Sequence, residues 1–103
     1  MFEIADPRFN ARTDEFIAVA NKQANDAAHD KVSLSFLDGS CRYYAWLWAA
    51  TSKDEADFAA KRAQALEVLL TETRQRFEKH ADDYAKNFQA YIVAQRKPRT
   101  PQP

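Results

Sequence analysis

Apolar residues return every third or fourth position through most of the chain, and the places where they stop returning divide it into three helices. Phe9, Thr13, Phe16, Ala20, Ala24 and Ala27, with Ile17 beside them, make one stripe. Asp6-Pro7 is a start signal for this first helix: the carboxylate can cap free amides, and the proline sits where no donor is needed. Thr13 followed by Asp14 and Glu15 is a second candidate start. The run NDAAHDK, Asn25 to Lys31, has no periodic face and reads as a solvated connection that holds His29.

A second helix is predicted from Asp30 or Ser33 to about Thr51. Projected at about 100° per residue, it gathers Ser35, Asp38, Arg42, Ala45 and Ala49 on one narrow strip. Trp46, Trp48, Tyr43, Tyr44, Phe36, Leu47 and Cys41 fall around the rest of the circumference. The expectation is an almost wholly buried helix whose one window to water carries an Asp38–Arg42 ion pair, the favourable order at a four-residue spacing. Gly39, the only glycine, costs about 1 kcal/mol relative to alanine in a helix interior, which predicts a neighbour crossing close to its backbone.

Ser52-Lys53-Asp54-Glu55 has the spacing of a capping box and predicts a third helix after a short turn, antiparallel to the second. Ala59, Ala63, Leu66, Leu70, Thr73, Phe77, His80, Tyr84, Asn87 and Tyr91 then alternate steps of four and three, a heptad-like seam. Opposite charges four apart, Asp57/Lys61, Glu72/Arg76, Arg74/Glu78, Lys79/Asp83 and Asp82/Lys86, suit a solvated face. Unbroken to about Tyr91, this helix would run about 58 Å against about 28 Å for the second. A weak point lies at His80 to Asp83, where acids could cap a fourth helix after a break. The predicted fold is all-α: a three-helix antiparallel bundle with a long third helix, the break near residues 80–83 being the alternative. Residues 1–95 read as a single helical domain and 96–103 as a disordered, basic, proline-rich tail.

Composition narrows the function classes. The chain carries 15 basic and 15 acidic residues, so no general excess of positive charge is available to hold phosphates, and nucleic acid is not an expected partner. The N-terminal residues lack the basic start and apolar run of a signal peptide, and the longest apolar stretch is interrupted by Asp38 and Arg42, so no membrane span is expected. A lone Cys41 cannot form an internal disulfide and fits a reducing cytoplasm. It lies on the apolar arc without a sequence-evident base, which predicts an inert, packed thiol. His80 with Asp83 makes too small a set for a metal, and His29 lies among loop residues. No Gly-rich phosphate loop, His-Glu-x-x-His, Cys-x-x-Cys or Gly-x-Ser-x-Gly occurs. No catalytic residue, cofactor or metal site is therefore assigned.

The stretches DEFIAVANKQ, KVSLSFLDGSCRYYAW and DDYAKNF are similar to a family of short bacterial helical proteins known only as domain of unknown function 3144. The resemblance covers roughly residues 13 to 88. It implies an all-helical bacterial protein and carries no catalytic residues to transfer.

The expected function is that of a non-enzymatic cytoplasmic protein acting through protein–protein contacts, as a homodimer and with an unidentified protein partner. The candidate interface comprises Tyr43, Tyr44, Trp46 and Trp48 of the second helix with Phe77, His80, Tyr84, Phe88 and Tyr91 of the third. The overhanging end of the long helix carries aromatic residues that the shorter helices of one chain could not all cover. The alternative expectation is a small-ligand-binding protein with the same rings lining an inter-helix pocket.

Overall fold

The computed structural model of the chain describes residues 5–96. Those residues form three long helices, α1 (Phe9–Gln23), α2 (His29–Ala50) and α3 (Glu55–Lys86), followed by a π-helical turn at Gln89–Val93, and no strand occurs among them. The fold is all-α. By their contacts the residues fall into two compact units, one up to Tyr43 and one from Tyr44 onward, so α2 contributes to both.

In the first unit α1 pairs with the first half of α2. Asp6 accepts a hydrogen bond from the Arg8 amide at 3.1 Å and also receives the Arg12 guanidinium, which fixes the chain just ahead of the helix. Those two contacts, the guanidinium foremost, hold the Asp6 carboxyl below its ordinary value. The Phe16 and Phe36 rings meet at 6.4 Å, each seven residues from the turn, as the two arms of a helical hairpin require. Among the described residues of this unit Val32 alone is buried, 7% exposed. His29 belongs to α2 rather than to the connection expected at 25–31: the Ala28 carbonyl accepts from the Lys31 and Val32 amides, so the first turn closes earlier than the apolar pattern does.

In the second unit the end of α2 pairs with α3. The capping box expected at Ser52 and Glu55 is displaced by two residues. Ser52 Oγ donates to the Trp48 carbonyl at 2.7 Å and helps close α2, which leaves Asp54 to cap α3. Asp54 Oδ1 accepts from the Asp57 amide at 2.8 Å, and Asp57 Oδ2 accepts from the Lys53 amide at 2.7 Å. The two carboxylates so satisfy two amides left free at the helix start.

α3 then runs through His80, Ala81, Asp82 and Asp83 without the break that was the alternative expectation. At 32 residues it is about 48 Å long, ending at Lys86 rather than near Tyr91. Asn87 ends it: its side-chain amide bonds back to the Asp83 carbonyl at 3.1 Å and carboxylate at 2.9 Å, and its own backbone leaves the helical range at φ −112°, ψ 24°. The chain continues as a wider turn, in which the Ala94 amide bonds to the Gln89 carbonyl at 2.8 Å. The tail expected from residue 96 lies, beyond Arg96 itself, outside the described residues.

The expectation that α2 is almost wholly buried does not hold. Leu34, Leu37, Tyr43 and Trp46 are all more than half exposed. An apolar circumference shows that a helix has much to bury, whereas burial itself depends on how many neighbours the chain supplies. Nor does anything cross Gly39: a Cβ built there meets no atom within 4 Å. Asp38 and Arg42, both exposed, form no ion pair with each other.

Candidate functional site

The surface of α3 resolves into two faces. The inward one is carried by Phe58, Lys61, Ala65, Val68, Leu69 and Glu72, all buried or half-buried and recurring at three- and four-residue steps. Ala65 is its centre, 8% exposed, and the Tyr44 hydroxyl donates to its carbonyl at 2.9 Å. The Tyr44 and Trp48 rings lean on each other at 6.3 Å and 55°. The Trp48 indole N–H is buried with no acceptor among the described residues, so its apolar body accounts for its place there.

The heptad seam read from the sequence is a different face, about 100° round the helix from Ala65. Ala59, Ala63, Leu66, Leu70, Thr73, Phe77, His80 and Tyr84 are all exposed. Phe77 is the extreme at 67%, and Leu66 and Leu70 remain about half exposed at 52% and 48%. Beyond Glu72 the inward face runs out, since no residue from 73 to 80 is even half-buried. The exposed seam instead continues along the far half of the helix.

The nine predicted site residues therefore do not form one cluster. Tyr44 bonds to α3 and leans on the half-buried Trp48, so both serve the fold. Trp46, in the same unit, and Tyr43, in the other, are exposed at 58% and 71%. Phe77, His80 and Tyr84 follow one another along the seam, which the end of the chain extends. There Tyr84 and Tyr91 meet edge to face at 5.4 Å, the Tyr91 hydroxyl reaches the Asp83 carboxylate at 3.4 Å, and the Arg96 guanidinium stands 5.9 Å above the Phe88 ring. Leu66 and Leu70 are the large seam residues that the expected site left out; their place in the alternating three- and four-residue steps that lead to Phe77 was the available signal.

Charges beside the seam follow a rule of their own. Of the five opposite-charge pairs expected along α3, Asp57–Lys61 at 2.9 Å and Glu72–Arg76 at 3.0 Å are formed, and the other three are not. Arg62, Glu67 and Arg74, which flank the seam, have no ion-pair partner among the described residues. Asp57 is held below the ordinary carboxylate value, first by the Lys53 amide and then by Lys61.

Chemistry beyond packing has little to draw on among the described residues. No three His, Cys, Asp or Glu side chains gather as a metal would require. Cys41 is half-buried and lies on α2. No described helix is long and apolar enough to cross a membrane.

No curated protein and no solved structure matches the chain. A family model does, over residues 9–85, a span that opens with the first residue of α1 and closes one residue before the end of α3. The chain thus belongs to the family described as Protein of unknown function (DUF3144).

Proposed function

We propose that this protein is a non-enzymatic, cytoplasmic interaction module that works as a homodimer, its subunits meeting along the exposed seam of α3. One observation carries the reading: an apolar and aromatic stripe of at least seven turns, Ala59 to Tyr84, lies open to water in a helix whose inward face is elsewhere. A monomer seldom leaves so long an apolar stripe uncovered, and a heptad spacing suits a second helix laid alongside. Two-fold dimers are the commonest way to cover such a face. The lone cysteine accords with a reducing compartment.

The competing idea of a small-ligand pocket draws less support, because the Tyr44 hydroxyl and the Tyr44–Trp48 ring pair are already engaged with α3 and with each other. Size exclusion coupled to light scattering at micromolar concentration tests the reading. A mass twice that of the 11.8 kDa chain is expected. A monomeric mass across the accessible concentration range would sink it.

A further inference from the structure

We infer that the two copies lie antiparallel along α3, with their two-fold axis passing between Thr71 and Glu72. The inference rests on the homodimer proposed above and fixes its direction and register.

Size complementarity is the first argument. The seam is small at its N-terminal end, Ala59 and Ala63, and bulky at the other, Phe77 and Tyr84, with every one of these residues exposed. About an axis between residues 71 and 72, seam position n of one copy faces seam position 143 − n of the other, and positions flanking the seam pair two residues off that rule, n with 141 − n on one side and with 145 − n on the other. Tyr84 then meets Ala59, His80 meets Ala63, Phe77 meets Leu66 and Leu70 meets Thr73. Large side chains so fall into the gaps left by small ones, as knobs in holes require. A parallel pair would put Phe77 on Phe77 and Tyr84 on Tyr84, while Ala59 and Ala63 faced one another across voids.

Charge is the second argument, and it is independent of the first. In the same register Glu67 faces Arg74 on one side of the seam and Arg62 faces Asp83 on the other, each twice by symmetry. Among the described residues Arg62, Glu67 and Arg74 have no ion-pair partner of their own, so these contacts displace none. Sliding one copy by a heptad in one direction opposes Arg74 to Arg74 and Arg76 to Arg76. Sliding it the other way opposes Glu67 to Glu67 and Arg62 to Arg76. Flanking charges of this kind choose partner direction and register, while the seam supplies affinity. The parallel arrangement keeps a single attractive contact, Arg62 with Glu67.

The full chain with Arg62→Glu, with Asp83→Arg, and with both changes tests this directly: both sites are exposed on α3, and because the Asp83 carboxylate also accepts from Asn87 at 2.9 Å, circular dichroism on each variant checks that the end of α3 is kept. Each single variant should weaken dimerisation by about ten-fold or more in sedimentation equilibrium. The double variant should recover wild-type affinity, and so should an equimolar mixture of the two single variants, whose heterodimer restores both contacts. Residues 62 and 83 are too far apart on one helix to rescue each other within a chain, so recovery reports the partner. A wild-type dimer in which Asp83→Arg fails to rescue Arg62→Glu, while Glu67→Arg does, is parallel and overturns this inference alone. A monomeric wild type removes the homodimer and this inference with it.

Discussion

Gly39 shows how a single residue can carry the wrong implication. A mid-helix glycine suggests a close neighbour, but open space surrounds its missing Cβ, so only the propensity difference remains. Gly39→Ala is expected to stabilise the fold by about 0.5–1 kcal/mol, read as a rise in melting temperature. A fall would mean that something does approach the backbone there. Tyr44 is the opposite case, an aromatic residue whose polar tip has a fixed task. Tyr44→Phe keeps the ring against Trp48 but removes the bond to the Ala65 carbonyl, and should cost about 0.5–1.5 kcal/mol in denaturant unfolding. An unchanged midpoint would show that the hydroxyl adds nothing.

Among the elements, α3 depends most on its first turn. Asp54→Ala removes the cap on the Asp57 amide and is expected to cost about 1 kcal/mol. Asp57 adds a pH dependence whose sign follows from its lowered pKa. Its folded value lies below the ordinary 3.8, so its contribution is present above that pH and disappears as pH falls through the folded value. Far-UV circular dichroism during acid titration should therefore show a loss of stability below about pH 4 that is smaller in Asp57→Asn. Identical acid profiles for the two proteins would remove Asp57 from the account. At the other end Asn87 decides where α3 stops, by bonding back to Asp83. The sequence placed Asn87 inside the helix because its position fits the heptad, whereas its side chain competes with the backbone for the same carbonyl.

At the scale of the whole molecule the exposed seam of α3 is the feature to be tested. Phe77 is its most exposed large ring, at 67%, and lies beyond the inward face of α3. Phe77→Glu should leave helicity and monomer folding nearly unchanged while abolishing the proposed dimer, a charge being costly to bury between two helices. Light scattering and circular dichroism on the same sample separate the two effects. Loss of helicity alongside loss of mass would instead place Phe77 in the core. If packing along the seam, more than the flanking charges, supplies the affinity of the proposed dimer, added salt will weaken it only modestly.

Local chemistry is what the sequence by itself determined: three helices, their approximate limits, the heptad spacing of α3 and the kinds of residue on each stripe. Periodicity at 3.6 residues is a property of neighbouring positions and needs no partner to be legible. Only the tertiary structure decided which stripe turns inward. Ala65, which accepts from Tyr44 of α2, is buried and Phe58 and Leu69 are half-buried on its face, whereas the more regular seam through Leu66, Leu70 and Phe77 is exposed. Both stripes are apolar, and hydrophobic attraction has no direction, so sequence pattern cannot rank two faces a third of a turn apart. The choice came from where the short turn after Ser52 delivers the helix and from the Tyr44 hydroxyl that anchors it, a geometry that exists only once α2 and α3 are side by side.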